Sequence, residues 1–359
     1  MALMLSNDDV AQVLSMDACM AALEDAYREL AAGRAVNQLR YDTNMPLPDR
    51  PERQARYEFK TMMGILPKAG VAALRMSSTL NHRPIRYGVE RAERLYLAPG
   101  GGTVGLIQLY STETGEPLAF MPDGMVQGMR VGGTFGLAVK YLARPEASTV
   151  GLLGSGWQAR FQVASTSLAR KVRLFKVYSP NPEHRLQFAQ EMTETYGVEI
   201  QPVDSAEEAA REVDILLSVT NARERIIPGP FVRPGMHVSA VQSELSDEAL
   251  AKGDVLVSHV EKNYLIYQGG PDSGQYGRLI EHGEGGFGEE ADGKHLVLLH
   301  DVIAGKAPGR TSPQQVTMFR GHGLGVQFAA VGAKVYELAK QQGLGHEIPT
   351  DWFTQTLHT

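Results

Sequence analysis

The run Thr149-Val-Gly-Leu-Leu-Gly-Ser-Gly-Trp-Gln-Ala159 passes from an apolar stretch through Gly154-Ser155-Gly156 into a helix-like pattern. It reads as a strand, a tight turn and the opening of a helix. Gly154 permits the turn, Gly156 lets the backbone approach a phosphate, and Ala159 allows close packing of helix on strand. Free amides and the positive end of the following helix complete an anion site. Gly154, Ser155, Gly156, Gln158 and Ala159 are therefore the candidate pyrophosphate-binding residues. The competing reading is a glycine turn between two ordinary elements, and context decides between them.

Downstream, strand and helix patterns alternate. Lys171–Tyr178 is a second strand, followed by a helix with Asn181 as N-cap, Pro182 at its first position and Leu186, Ala189 and Met192 on one face. Strands follow at Val198–Val203, Asp214–Thr220, Met236–Val241 and Asp254–His259, with short helices opening at Ser205 and Ser246. Six strands in this order predict an α/β fold, a Rossmann doubly wound parallel sheet with right-handed crossovers. Thr220, closing the fourth strand, joins the cofactor-binding set.

Upstream, Ser6 and Ser15 cap two helices, the second running through Met20, Leu23, Ala26, Tyr27 and Leu30 to a stop at Gly33. Val36 to Phe120 is strand-like and punctuated, with Thr112-Glu-Thr-Gly115 as a hairpin turn, and Val131–Ala143 reads as a helix leading into the fingerprint. The glycine-rich stretch Gln268–Gly293 reads as an irregular loop. A last helix, Gly323–Gln341, carries Val326, Ala329, Ala330, Ala333, Leu338 and Ala339 and is expected to return to the first unit. Residues 1–129 and 312–359 are thus expected to form one α+β unit, and 130–311 the parallel-sheet unit that carries the glycine turn.

The charge balance, 35 − 41 = −6 without long single-sign runs, argues against nucleic acid or a membrane surface as the main partner. A small molecule is expected instead. The lone cysteine, Cys19, excludes an internal disulfide and a cysteine-rich metal site, and no metal is expected. The N-terminal residues lack a basic, then apolar leader and no 18-residue apolar run occurs, so a cytoplasmic location is expected.

Enzymes that bind NAD through this turn often carry an acidic residue about 20 positions on, against the ribose 2′-OH. Ser179 stands there, in Tyr178-Ser-Pro-Asn-Pro-Glu-His-Arg185. Without a carboxylate to repel a 2′-phosphate, Ser179, Asn181 and Arg185 are candidates to bind one, so NADP(H) is favoured and NAD(H) remains possible. The other reading is that Ser179 and Asn181 cap the helix while Arg185 is solvated.

Four blocks resemble the ornithine cyclodeaminase and mu-crystallin family: Ser111-Thr-Glu-Thr-Gly-Glu-Pro-Leu-Ala-Phe, Gln127-Gly-Met-Arg-Val-Gly-Gly-Thr-Phe-Gly-Leu-Ala-Val-Lys-Tyr-Leu-Ala143, Val150-Gly-Leu-Leu-Gly-Ser-Gly and Gly305-Lys-Ala-Pro-Gly-Arg-Thr-Ser. The resemblance implies a homodimer in which 1–129 and 312–359 form the substrate-binding and dimerisation domain and 130–311 the NAD(P)-binding Rossmann domain, with the active site between them. It further implies hydride transfer between a nicotinamide and the carbon bearing an amino or imino group. Arg130 matches the family's carboxylate-binding arginine, and a guanidinium at a helix N-terminus suits that role; Arg40 matches a second one.

The family's Gly-Val-Lys lysine is replaced in Gly70-Val-Ala72, which leaves Arg75 or Lys60 as candidates for its role. The alternative is that both belong to an ion-pair set with Glu58 and Asp42. His322, near where the family loop approaches the nicotinamide, is a candidate proton donor, with helix capping or simple solvation as the other reading. The aspartate that follows the fifth strand in the cyclodeaminases is missing; Gln242 and Glu244 occupy a shortened segment. An NAD(P)-dependent imine reductase or amino-acid dehydrogenase is therefore the leading expectation. A cyclodeaminase-type lyase with recycled NAD and a non-enzymatic, crystallin-like cofactor binder are the alternatives. The wall of the side-chain subsite is expected from residues Asn81–Gly102.

Overall fold

The glycine turn is flanked by the strand Thr149–Leu153 and the helix Trp157–Ala169 in a computed structural model that describes residues 1–260, 265–269, 278–281 and 296–355. Among the described residues the parallel sheet has eight strands. Their order is Glu199–Pro202, Leu174–Tyr178, Thr149–Leu153, Ile215–Ser218, His237–Ala240, Thr317–Arg320, Val255–Ser258 and Leu296–Leu298. The central strands Ile215–Ser218, His237–Ala240 and Thr317–Arg320 are buried at every residue, as expected of a parallel sheet covered on both faces. The strand order reverses between Thr149–Leu153 and Ile215–Ser218, and that switch point opens a crevice at the carboxyl ends of the strands.

Two strands exceed the six expected. Leu296–Leu298 joins one edge, and Thr317–Arg320 inserts between His237–Ala240 and Val255–Ser258. Only four residues long and set between a polar loop and a glycine-rich turn, Thr317–Arg320 gives too short a periodic signal to read in sequence. A boundary at residue 312 therefore falls ahead of a strand of the parallel sheet, and the chain leaves that sheet after Arg320.

The second sheet is mixed and has eleven strands among the described residues. Its antiparallel centre is Tyr41–Pro46, Arg56–Leu66, Val71–His82, Val104–Ser111 and Pro117–Pro122. Ala2–Met4 and His346–Ile348 extend one edge, bringing both ends of the chain together. At the other edge Leu265–Gln268 pairs with Tyr41–Pro46, and Arg278–Glu281 pairs with Leu265–Gln268. The glycine-rich stretch expected as an irregular loop thus includes a strand of the mixed sheet; residues 270–277 and 282–295 lie outside the described residues.

Burial along Val71–His82 alternates strictly, with Val71, Ala73, Arg75, Ser77, Thr79 and Asn81 inward. The last helix, Gly325–Gln342, packs on this inward face, as expected of a helix returning to the first unit. Its approach is unusually close: a Cβ on Gly64 would lie 2.3 Å from the Val326 nitrogen, and one on Gly325 would lie 1.9 Å from the Met63 carbonyl oxygen. Two facing glycines bring backbone against backbone.

The helix expected at Val131–Ala143 begins seven residues earlier, as Gly124–Leu142. Its glycines disguised it, since glycine disfavours helices by about 1 kcal/mol relative to alanine. Here they serve packing, because a Cβ at Gly128 would lie 2.2 Å from the Phe161 ring. In the helix Pro182–Tyr196, Leu186 is 57% exposed and the inner face is Arg185, Phe188, Ala189 and Met192. The caps at Ser6, Ser15, Asn181, Ser205 and Ser246 form as the sequence predicts.

Candidate active site

At the fingerprint, Gly154 has φ +109° and its amide donates to the Tyr178 carbonyl at 2.8 Å. A Cβ there would approach the Val219 carbonyl oxygen at 2.9 Å, so only glycine fits. Gly156 differs: its φ is ordinary and a Cβ would meet nothing. It faces open space at the N-terminus of Trp157–Ala169, where no side chain caps the first turn. Open space beside uncapped amides fits a dinucleotide's phosphates. Ala159 is fully buried, as close packing requires.

The other cofactor candidates are engaged with the protein. Ser155 Oγ donates to Ser179 Oγ at 2.8 Å, which ties the glycine turn to the end of the second strand. Asn181 Oδ1 accepts from the His184 amide as the helix cap. Arg185 folds back, donating to the Ser179 carbonyl at 3.0 Å and pairing with Asp204. Gln158 Nε2 donates to the Gly128 carbonyl at 3.1 Å, bracing one helix on another. Thr220 Oγ1 donates to the fully buried Glu244, whose carboxyl is pushed upward by burial.

Between the crevice and the inward face of the mixed sheet lies a cavity of about 750 Å³. It brings together Arg40, Lys60, Arg130 and His322. Arg75 is not among the lining residues. Its guanidinium is buried and held by Asp123 Oδ2 at 2.7 and 2.5 Å, so the reading of Arg75 as a catalytic residue is corrected to a structural ion pair. Ala72 faces outward on that strand, away from the cavity.

Arg130 sits in the second turn of Gly124–Leu142, not at its N-terminus, and the helix-dipole argument for its role fails. Its environment gives a stronger one. The residue is 6% exposed, its Nη1 donates to Gln327 Oε1 at 3.0 Å and its Nη2 to Gln127 Oε1 at 2.8 Å. Its Nε has no acceptor, and no carboxylate of the described residues pairs with it. Burial, with Arg75 nearby, pushes it down to about 9. A buried guanidinium whose hydrogen-bond partners are neutral amides calls for an anion.

Lys60 stands directly opposite Asp42 and Ser77 in the sheet register. Its Nζ lies 2.6 Å from Glu58 Oε2 and 3.8 Å from Asp42, and burial and the neighbouring Arg40 lower its pKa. Arg40 pairs with Asp42. Lys60 and Arg40 thus line the cavity while belonging to the ion-pair set, so the two readings of that cluster coexist. Glu58, though buried, is held down to about 2 by Lys60 and Arg56.

A polar network behind Arg130 escaped the sequence reading. Gln327 Nε2 donates to Tyr27 Oη and to Thr134 Oγ1, both at 2.8 Å. Tyr27 Oη lies 3.1 Å from His259 Nε2, and His259 Nδ1 contacts the backbone of His322. Burial lowers His259 to about 3, so it is neutral, with Nδ1 against the His322 backbone and Nε2 against Tyr27 Oη. The one sequence signal was a glutamine inside the apolar run Val326-Gln-Phe-Ala-Ala-Val331. Of the two residues after the fifth strand, Gln242 lines the cavity and Glu244 points away to Thr220.

A doubly wound parallel sheet with a glycine cradle, facing a cationic cavity on a second sheet, defines a two-unit Rossmann-type protein. The family described as Ornithine cyclodeaminase/mu-crystallin matches residues 1–343, and the chain belongs to it. It is 29% identical to the alanine dehydrogenase of Archaeoglobus fulgidus over 96% of this chain and 98% of that one. The structure resembles Delta(1)-pyrroline-2-carboxylate reductase of Thermococcus litoralis in complex with NADH and L-proline, with TM-score 0.76, 27% identity and coverage of 96% of this chain and 100% of that one. It likewise resembles an archaeal alanine dehydrogenase dimer with bound NAD, at TM-score 0.73 and 26% identity, covering 97% and 99% of the two chains. Among the described residues no helix is long and apolar enough to cross a membrane.

Proposed function

We propose that this protein is an NAD(P)-dependent oxidoreductase that moves hydride between the nicotinamide and the Cα of an amino or imino acid, as an imine reductase or amino-acid dehydrogenase. The observation that carries the reading is Arg130, a buried cation that lines the cavity without a carboxylate partner among the described residues. In the reductive direction the dihydronicotinamide, when bound, supplies the hydride that the imine carbon gains, and it ends oxidised. Arg130 binds the substrate carboxylate, with Gln127 and Gln327 fixing the guanidinium plane. Arg40 adds positive charge beside it. Lys60, its pKa lowered by burial, holds the proton that the imine nitrogen takes up, and Glu58 keeps the ammonium in place. His322 stands at the same cavity as a second proton carrier.

The relatives' names and bound molecules support this class: an alanine dehydrogenase, and a reductase holding NADH and proline. The cyclodeaminase reading lacks its carboxylate after the fifth strand, since Glu244 is turned away from the cavity. The test is oxidation of NADH and NADPH with pyrroline-2-carboxylate and with 2-oxo acids plus ammonium. Steady consumption is expected. Ammonia release from ornithine without added reductant, or tight cofactor binding with no turnover across the panel, would overturn the reading.

Which nicotinamide form is preferred turns on Ser179 and Arg185. No carboxylate at Ser179 repels a 2′-phosphate, but Arg185 is already committed to Asp204. NADP(H) keeps only a small advantage, with NAD(H) accepted. The protein acts as a homodimer through the outer face of the mixed sheet, where Met63, Leu74, Met76 and Leu106 stand side by side in register and partly exposed. The alanine dehydrogenase dimer supports a dimeric state. Its single cysteine, buried as a thiol, suits the reducing cytoplasm.

A further inference from the structure

The reaction leaves unused a second concentration of positive charge in the same cavity. Along the inward face of Arg56–Leu66, Lys60 is followed by Glu58 and then Arg56, a separation of four residues or about 13 Å. Arg83 and Arg94 join Arg56 from the segment after Val71–His82, and Arg223 arrives from the loop after Ile215–Ser218; all four line the cavity. The expectation that residues Asn81–Gly102 supply a wall thus acquires a specific content, a cluster of arginines.

Among the described residues, local acids do not neutralise this cluster. Glu58 is shared by Lys60 and Arg56. Glu90 lies 3.6 Å from Arg83 but is also held by Arg53 at 2.7 Å. The Arg83 Nε is buried without an acceptor, Arg94 reaches only the Thr103 hydroxyl at 3.5 Å, and the Arg223 side chain has no partner among the described residues. Burial lowers the pKa of Arg83, and Arg56 and Arg223 lower it further.

Backbone contacts hold these like charges together. The Ala92 amide donates to the Asn221 carbonyl at 3.0 Å and the Arg223 amide to the Glu90 carbonyl at 2.9 Å, pinning the two units to each other at the rim. A site assembled against its own repulsion stabilises an anion that bridges it. The side chain of alanine or the ring of proline would leave these guanidinium groups facing only water.

We propose that the substrate carries a second carboxylate at the end of an extended side chain, bound by Arg83 and Arg223 with Arg56 and Arg94 beside them, while Arg130 holds the carboxylate next to the reacting carbon. The inference rests on the oxidoreductase reading above. It is tested with 2-oxoglutarate, 2-oxoadipate and 2-oxopimelate, each with ammonium and NADH or NADPH, against 2-oxo acids of equal length ending in methyl. The ω-carboxylate member is expected to lead in kcat/KM by about tenfold or more, with the lead growing with chain length. Arg223→Ala should cut that lead about tenfold, chiefly through KM. Arg223→Lys should restore part of it, and the exposed Arg211→Gln, outside the cavity, should leave it intact.

Equal rates within each pair overturn the inference. So does an Arg223→Ala variant that lowers both members alike while raising the KM of the cofactor, since Arg223 would then serve the cofactor. Absence of turnover on every acid overturns the oxidoreductase reading instead. Calorimetric titration of the NAD+-loaded protein with 2-aminopimelate and 2-aminoheptanoate reads the subsite without turnover, and equal affinities there overturn the inference by themselves.

Discussion

The glycine cradle and the charged face of the mixed sheet prepare for anions by opposite means. The cradle uses backbone: a left-handed glycine, an open glycine and uncapped amides, with no formal charge in the turn itself. The sheet face uses buried side-chain charges whose positions depend on strand register and on partners far away in sequence. A backbone site tolerates little substitution but needs few residues. A side-chain site needs many residues and carries the cost of burying them, which the substrate is expected to offset.

Breaking the side-chain half should have the largest effect. Arg130→Met is expected to lower kcat/KM on any accepted acid by about a thousandfold, because a buried charge-paired contact to the carboxylate is lost. Thermal stability of the unliganded protein should hold or rise, since an unneutralised buried cation is removed. A large fall in Tm would show that Arg130 supports the fold through Gln127 and Gln327 instead.

The backbone half predicts a split between its two glycines. Gly154→Ala meets both a positive φ and the Val219 carbonyl, and should cost about 2 kcal/mol of stability along with cofactor affinity. Gly156→Ala has room and an ordinary φ, so its loss should fall on cofactor affinity with stability nearly unchanged. Denaturant melts and cofactor titrations of the two variants measure this, and equal destabilisation would blur the distinction.

Acid should weaken both halves, the parallel sheet that carries the cradle through its buried histidines and the charged face through Glu58. His259 and His237 are buried with folded values near about 3, against an ordinary 6.5. The unfolded chain therefore takes up protons that the folded chain refuses, so stability present above pH 6.5 falls as pH drops towards 3, by about 2 kcal/mol per histidine at pH 5. Glu58, folded at about 2 against 4.5, adds a loss in the same direction between those values. Urea midpoints at pH 7 and pH 5 check this, and a flat profile would mean that the histidines titrate in the folded state. The smallest expected effect is on cofactor choice: an NADPH-to-NADH ratio in kcat/KM below about tenfold, since Ser179 removes a repulsion while Arg185 stays with Asp204.

The same contrast explains what could be read from the sequence. The cradle and most of the parallel sheet were legible because glycine spacing and short apolar runs are local signals. Thr317–Arg320 was not, lying after a loop and pairing between strands that precede it by about sixty and eighty positions. Arg130 was legible as a residue but not as an environment. Its helix start was hidden by glycines, and the network behind it joins Tyr27, Thr134, His259 and Gln327, up to 300 positions apart. Arg75 was misplaced because alternation gives the face a residue points to, whereas its partner Asp123 comes from another element.

The contact between Gly64 and Gly325 has a mechanical consequence. Because backbone meets backbone there, no layer of deformable side chains lies between the last helix and the sheet at that point, and Gln327 is carried on that stiff joint about half a turn further on. Accommodation of a bulky reactant must then come from elsewhere. The seam where Ala92 and Glu90 meet Asn221 and Arg223 is held by backbone hydrogen bonds at the rim instead of by facing glycines, and it resists displacement less than that joint does.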